Sequence, residues 1–292
     1  MFHSLLAHNY SLESKNIGSA AQCFFGLPEV MDEHNNGNMS NSCFVDMGSS
    51  YLVVDSGPTY QYAREAYTKI QKQNKLPISY VIDTHTHDDH WLGNGFYKEK
   101  GATVVGSIAF KTLDILERTR MQKRISQEAY KGTQQIIPSI FVDGETILYF
   151  EKEKVIITNV HHKAHTNSDL FVYIPGKHIL FAGDLVFNGR LPSLRDGDIS
   201  GWIKILEKIK KMDVEYIVGG HGEKFTKASV DFTFDYLLTL KKEVINALDN
   251  GVDIGDAVND IKMLQYKSIP FYDSIQRQNV ETAYRTLEWE NE

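Results

Sequence analysis

T-H-T-H-D-D-H-W-L-G-N, residues 84–94, places three histidines and two aspartates within six positions. The stretch directly follows the apolar run I-S-Y-V-I, residues 78–82, which is typical of a buried β-strand. Imidazole and carboxylate groups are good ligands for zinc, iron and manganese. Packed histidines and carboxylates are costly to bury without partners. The stretch therefore predicts a metal site at the end of a strand.

The local geometry of this stretch depends on how the chain continues after Asp83. If it stays extended, alternation places His85, His87 and Asp89 on one side and turns His90 elsewhere. Two imidazoles can then reach one point, while a carboxylate and a third imidazole reach another.

Three later polar residues each follow an apolar run that predicts a strand, at the place where loops gather and build sites. They are His165 in H-H-K-A-H-T, Asp184 in F-A-G-D-L-V-F and His221 in V-G-G-H-G-E. Each residue alone is a weak signal. Together with the first stretch, they predict that four strand ends deliver histidine and aspartate to one site.

Apolar runs and helical stripes alternate along the chain, with no internal repeat and no linker. The predicted strands are 51–55, 78–82, 102–105, 154–158, 170–174, 178–182 and 214–218. The predicted helices are 63–70, 107–130, 202–209 and 227–249, followed by short helices around Pro270. This order predicts helices that cover the outer faces of packed sheets.

H-T-H-D-D-H fits the signature H-x-H-x-D-H, and a later His, Asp and His follow in that order. The chain thereby resembles the metallo-β-lactamase superfamily of hydrolases over roughly residues 20–225. The resemblance implies a four-layer αββα sandwich of the α/β class. We expect one domain, 1–292, in which residues 226–292 are a C-terminal extension of covering helices.

The resemblance also implies a ligand set and a cofactor. His85, His87 and His165 would hold one metal, Asp89, His90 and His221 a second, and Asp184 would bridge them. Two zinc ions are expected, with iron or manganese as alternatives. One class of β-lactamases has Cys where Asp184 stands, so the site is more similar to the glyoxalase and lactonase branch.

Such a site implies hydrolysis. Two cations about 3.5–4 Å apart share a water and lower its pKa from about 15.7 towards 7. The bridging hydroxide would attack the activated carbonyl of a lactam, lactone or thioester, and Asp89 would orient it and pass a proton to the leaving group. Two alternatives stay open: an enzyme similar to the mononuclear-iron persulfide dioxygenases, and a non-enzymatic metal-binding accessory protein.

Several neighbouring residues are candidates for supporting roles. Asn188, Arg190 and Arg195 follow the predicted bridging aspartate, and Lys224 follows His221; these can bind a substrate carboxylate, or be a solvated loop with local ion pairs. Asp55 and Asp83 end strands, and can orient imidazoles or merely cap turns.

Composition limits the partners. A formal net charge of −7 argues against nucleic acid, so a small-molecule substrate is expected. No apolar window is long enough for a membrane span, and the N-terminus M-F-H-S-L-L-A-H-N-Y lacks a signal pattern, which predicts the cytoplasm. The sequence carries no signal for an oligomeric state.

Two observations bear on the compartment. The stretch F-A-G-D-L-V-F-N-G-R-L-P-S-L-R-D-G-D resembles zinc hydrolases associated with quinoprotein and sulfur-oxidation systems, which implies a periplasmic location. Cys23 and Cys43 lie in strand-like runs on either side of a polar turn, where their sulfurs can be cross-strand neighbours. Without a signal pattern, two buried free thiols are favoured.

Overall fold

The computed structural model describes residues 8–290 of the chain. The first seven residues, which belong to the N-terminal segment without a signal pattern, lie outside the described residues. Within residues 8–290, every helix is too short or too polar to cross a lipid bilayer.

Two sheets form the centre of the described part. The first sheet contains, in spatial order, β1 (Ser14–Ile17), β2 (Ala21–Phe24), β3 (Ser42–Asp46), β4 (Tyr51–Val54), β5 (Ile78–Asp83), β6 (Thr103–Ser107) and β7 (Ile140–Val142). The second contains β8 (Glu145–Tyr149), β9 (Lys154–Asn159), β10 (Leu170–Ile174), β11 (Ile179–Phe187) and β12 (Tyr216–His221). Pairing is antiparallel from β1 to β4 and from β8 to β11, and parallel from β4 to β7 and between β11 and β12.

Helices occupy the connections and the C-terminal region. They are α1 (Tyr60–Gln71), α2 (Asp88–Trp91), α3 (Asn94–Glu99), α4 (Gln127–Tyr130), α5 (Ile199–Lys210), α6 (Asp231–Asp249), α7 (Ile254–Asp260) and α8 (Tyr272–Glu290). Two of the longer helices have side-chain N-caps. Thr59 accepts a hydrogen bond from the backbone N–H of Tyr62 at the start of α1, and Asp198 accepts one from the backbone N–H of Gly201 at the start of α5.

The elements pack in four layers. The inner faces of the two sheets meet in one apolar cluster, in which Val45 and Ile82 of the first sheet pack with Ile157 and Phe181 of the second. Helices α1 and α3 cover the outer face of the first sheet, and α5, α6 and α8 cover that of the second. The αββα sandwich and the covering C-terminal helices are therefore confirmed.

Residues 107–130 are not one helix, contrary to the sequence prediction. The segment contains only two short 3₁₀ turns, Ile108–Thr112 and Met121–Lys123, and the single-turn α4. Two of its backbone N–H groups bond side chains from other segments: Met121 donates to Asp88, and Ser126 donates to Asn36. These tertiary bonds replace the i to i−4 bonds that a helix would need.

The end of the chain also differs from the sequence prediction. Instead of short helices alone, it contains α8, which is 19 residues long. The buried face of α8 carries Val280, Ala283 and Leu287, but also the polar Gln276 and Asn279. These two amides interrupt the apolar stripe, and this hides the helical period in the sequence.

The preference for two free thiols was wrong. Cys23 and Cys43 stand directly opposite each other in β2 and β3, and they form a disulfide. The pairing register brings the two Cβ atoms together. The missing signal pattern concerns only the cellular compartment, whereas the disulfide depends on the register in which β2 and β3 pair.

We expect the disulfide to stabilise the fold measurably. It closes a loop with a sequence separation of 20 residues, so the double substitution Cys23→Ser with Cys43→Ser should lower the free energy of unfolding by about 3 kcal/mol. Urea unfolding measures this. Wild-type protein in reductant is the control and should lose a similar amount. Equal stability of oxidised and reduced protein would contradict the prediction.

Candidate metal centre

The histidine cluster is positioned by a change of secondary structure. The chain bends at His85 and Thr86 after β5, His87 is extended, and the short helix α2 then begins at Asp88. The expectation of a continued extended chain was therefore wrong at Asp89. The helical turn points both Asp89 and His90 towards one place, so Asp89 does not share a side with the first two histidines.

Seven side chains come together in two adjacent groups. The first group is His85, His87, His165 and Asp184, and the second is Asp89, His90 and His221. Within each group the potential ligand atoms lie within 4.8 Å of one another. The structure thus brings together every residue predicted as a ligand, in the predicted division, although metal binding by them stays a prediction.

Asp184 lies between the two groups. Its Oδ2 is 3.2 Å from Nε2 of His165 in the first group and 3.3 Å from Nε2 of His221 in the second. Its Oδ1 is 3.3 Å from Nε2 of His90. One carboxylate thus faces both groups, which is the arrangement that a bridging ligand needs.

The backbone is shaped to admit Asp184. This residue lies inside β11, not after a strand as the sequence predicts, because the strand continues past an irregularity at Gly183 with φ of +51°. On the neighbouring strand β12, a Cβ atom at Gly220 would collide with Oδ1 of Asp184. Glycine is therefore needed there for His221 and Asp184 to approach each other.

Each imidazole is held by a contact to the ring nitrogen that points away from the centre. The pairs are His85 Nδ1 with Thr84 Oγ1 (3.1 Å), His87 Nε2 with Asp196 Oδ2 (3.0 Å), His165 Nδ1 with the Ser193 carbonyl (3.2 Å), His90 Nδ1 with Asp55 Oδ2 (2.8 Å) and His221 Nδ1 with the Met39 carbonyl (2.7 Å). Contacts of this kind fix the ring orientation and leave the inner nitrogen for a metal.

Buried polar atoms at the centre show that the residues fit a metal. Among the described residues, Nε2 of His85, Nε2 of His90 and Oδ1 of Asp184 are buried without a hydrogen-bond partner. Leaving such atoms unpaired costs about 1–3 kcal/mol each. Cations bound in the two groups would satisfy these atoms, and nitrogen and oxygen donors suit zinc.

The electrostatics also favour a cation. Burial and the neighbouring His90 hold the pKa of His85 well below its ordinary value, so this ring is neutral. Burial opposes ionisation of Asp184, yet the surrounding imidazoles, His221 foremost, keep its pKa well below the ordinary carboxyl range. For His90 the opposite holds: burial lowers its pKa, but the carboxylates of Asp184, Asp55 and Asp89 together raise it. The buried carboxylates of this centre are thus stabilised by positive charge, which a bound cation would supply.

Asp89 has a partner that the sequence analysis missed. Its Oδ1 accepts a hydrogen bond from Nη2 of Arg120 at 3.0 Å, and the same guanidinium binds Asp88 at 2.6 Å. Arg120 comes from the irregular segment 107–130, where no motif or period marked it.

A cavity opens above the two groups. Its lining includes the arginines Arg120, Arg124, Arg190 and Arg195, and the apolar side chains Val30, Met31, Met39, Phe187, Phe271 and Ile275. Arg190 is only 7% exposed, and its guanidinium carbon lies 3.8 Å from the centre of the Phe271 ring. Among the described residues, its Nε and Nη1 are buried without a partner.

The other predicted substrate residues have different surroundings. Asn188 is buried, and its side chain bonds the backbone N–H and carbonyl of Lys224, so it ties two loops together. The Lys224 side chain is exposed and is not part of the cavity lining. Arg195 lines the cavity but pairs with Asp196 at 2.7 Å. Arg190 is thus the candidate with free donors, and substrate binding by any of them stays a prediction.

Of the two candidates for orienting imidazoles, Asp55 contacts a ligand histidine and Asp83 does not. Asp55 contacts His90 and also accepts hydrogen bonds from the backbone and hydroxyl of Thr84. Asp83 accepts a hydrogen bond from Asn94 at 2.7 Å, and burial raises its pKa well above the ordinary value. Among the described residues, only Asp55 and Asp196 offer a carboxylate to the outer nitrogen of a ligand histidine.

The fold and the site define an α/β protein with a candidate metal centre. The chain belongs to the metallo-beta-lactamase superfamily, whose family model matches residues 35–221. This confirms the family resemblance drawn from the histidine motif. The subgroup resemblance stays a prediction.

Known proteins with related sequences include enzymes named for different substrates. A metallo-beta-lactamase type 2 from Bacillus cereus is 26% identical over 68% of this chain and 73% of its own length. A hydroxyacylglutathione hydrolase from Pelagibacter ubique is 27% identical over 63% of this chain and 69% of its own. An acyl-coenzyme A thioesterase from Homo sapiens, MBLAC2, is 24% identical over 66% of this chain and 76% of its own.

A solved structure shows the same fold. The metallo-beta-lactamase from Pontibacter korlensis superposes with a TM-score of 0.61, covering 78% of this chain and 99% of that one at 21% identity.

We expect Asp55→Asn to weaken zinc binding at the second group about tenfold, because the amide no longer fixes His90 as a carboxylate does. Competition with a chromophoric chelator measures this. Asp83→Asn is the matched control, since it changes a buried carboxyl nearby that bonds Asn94 and no ligand histidine. Equal zinc affinity in both variants would contradict the assigned role of Asp55.

Proposed function

We propose that this protein is a metal-dependent hydrolase that cleaves the activated carbonyl of a small anionic molecule: a lactam, a lactone or a thioester. The observation that carries the proposal is the pair of ligand groups that share Asp184 at the floor of a cavity. The related hydroxyacylglutathione hydrolase and acyl-coenzyme A thioesterase support hydrolysis as the reaction.

Each of the two groups of side chains would bind one metal ion. His85, His87 and His165 would hold one ion, Asp89, His90 and His221 the other, and Asp184 would contact both. We propose zinc, for which imidazole nitrogen and carboxylate oxygen are good ligands. Bound zinc ions would lower the pKa of a water molecule and polarise the carbonyl oxygen of the substrate.

The protein's own side chains would handle the proton and the substrate. Asp89 would accept a proton from the attacking water and pass it to the leaving group. Its neighbours His90 and Arg120 hold its pKa below the ordinary value although burial opposes this, so the carboxylate is ionised. Arg120 also fixes the orientation of the carboxylate, with a contact of 3.0 Å.

Arg190 would bind the anionic group of the substrate. Burial lowers its pKa to about 10, which still leaves the guanidinium charged at neutral pH. Arg190 lines the cavity, and a guanidinium can pair with a carboxylate through two parallel hydrogen bonds. We therefore propose a substrate with a carboxylate near the reacting carbonyl.

We also propose that the protein works in an oxidising compartment, such as the periplasm. The disulfide Cys23–Cys43 supports this, because structural disulfides persist mainly outside the reducing cytosol. The subgroup resemblance agrees with this location, and the cytoplasmic expectation rested on the N-terminal pattern alone.

The proposal predicts close to two zinc ions per chain and hydrolysis that stops when a chelator removes them. Metal analysis of the purified protein and a panel of lactams, lactones and thioesters measure both. Readdition of zinc to the stripped protein is the control for chelator damage and should restore turnover. Asp89→Asn should retain the fold but lose at least about 100-fold in kcat, since it removes both the proton acceptor and a carboxylate ligand of the second ion.

Two results would replace the proposal. A single tightly bound iron, with oxygen consumption on a persulfide, would favour a dioxygenase. Full zinc occupancy without turnover across the whole panel would favour an accessory protein that binds metal.

The role of Arg190 predicts a selective change in KM. Arg190→Ala should raise KM for a carboxylate-bearing substrate about 10- to 100-fold, the loss of a charged hydrogen-bonded contact worth about 1.5–3 kcal/mol. Arg190→Lys should recover part of this, because it keeps the charge and loses the fork. The methyl ester of the same substrate is the control, and its KM should change little. Equal changes for acid and ester would contradict the role.

A further inference from the structure

The loop of residues 190–196, which we call the arginine loop, supports two ligand histidines. The Ser193 carbonyl contacts Nδ1 of His165 at 3.2 Å, and the Asp196 carboxylate contacts Nε2 of His87 at 3.0 Å. Both histidines belong to the first group of candidate ligands. The position of the arginine loop therefore sets the orientation of half of that group.

A buried amide of the C-terminal helix α8 holds this loop. Oδ1 of Asn279 accepts a hydrogen bond from the Leu194 backbone N–H at 2.9 Å, and Nδ2 donates to the Pro192 carbonyl at 2.8 Å. Asn279 thus grips the backbone on both sides of Ser193. The side chain has 0% exposure, so water cannot replace these bonds.

The same part of the chain contacts the loop a second time. The Pro270 carbonyl accepts a hydrogen bond from the Leu191 backbone at 3.0 Å. The next residue, Phe271, has a φ of +72° and places its ring against Arg190. A left-handed aromatic residue costs about 1–3 kcal/mol and persists where its surroundings hold it in place. The family model ends at residue 221, so these contacts come from outside the matched region.

We propose that Asn279 is a positioning residue for the metal centre: it fixes the arginine loop, and through Ser193 and Asp196 it orients His165 and His87. The inference rests on the proposed metal site and not on the identity of the substrate. The second group takes its outer contacts from Asp55 and Met39, which lie on other segments. The effect of Asn279 should therefore be confined to the first metal position.

A purely structural role would give a different pattern. If Asn279 only stabilised the packing of α8, its loss would lower the free energy of unfolding and leave zinc binding unchanged. Tyr236 provides the matched comparison, because its hydroxyl accepts a hydrogen bond from Asn279 and donates one to Gln276, with no bond to the arginine loop.

The test compares Asn279→Ala, Asn279→Asp and Tyr236→Phe in the full chain. Competition with a chromophoric chelator resolves the two zinc constants, and Asp55→Asn identifies which constant belongs to the second group. We expect Asn279→Ala to weaken the first position about tenfold and to leave the second unchanged. Asn279→Asp keeps the acceptor for Leu194 and should lose less. Tyr236→Phe should lower thermal stability and keep both constants.

The proposal is overturned if Asn279→Ala folds and binds zinc as the wild type does, or if Tyr236→Phe weakens zinc equally. If Asn279→Ala does not fold, Asn279→Asp decides, and unchanged constants in that variant overturn the proposal. Zinc binding is measured without substrate. Failure of the proposed hydrolase activity would therefore be seen separately, as normal zinc constants without turnover.

Discussion

The structure depends on concentrating five imidazoles and two carboxylates in one buried place. Asp184 stands at its centre, within about 3.5 Å of histidines from both groups. Without a cation, such a centre must hold protons or leave polar atoms unpaired, and the unpartnered Nε2 atoms of His85 and His90 show this cost.

The ring orientations come from contacts that join distant parts of the chain. His90 relies on Asp55 at the end of β4, His221 on the Met39 carbonyl, and His165 on the Ser193 carbonyl. Binding a metal would therefore tie the first sheet, the second sheet and the loops to one another. Because ligand affinity for the native state adds to its stability, metal binding and folding are coupled here.

The sequence was informative where donors and pattern are local. The ligands at 85–90 stand side by side after an apolar run, and His165, Asp184 and His221 each follow or lie in such a run, so their convergence was predictable. Arg120 and Asp196 were not predicted, because their roles arise from tertiary contacts to Asp89 and His87. The prediction of a helix over 107–130 was wrong for the same reason, since side chains from other parts of the chain accept hydrogen bonds from its backbone.

The buried amides of α8 favour one specific backbone conformation of a neighbouring loop at a cost in stability. Apolar side chains at positions 276 and 279 would bury more easily and would strengthen the helix pattern. The amide of Asn279 instead makes hydrogen bonds on both sides of Ser193, and so it selects one backbone path for the arginine loop. That path carries Arg190 at one end and the contact to His87 at the other. Arg190, proposed to bind the substrate, and Asp196, which supports His87, therefore belong to one loop. A displacement of this loop would shift both residues.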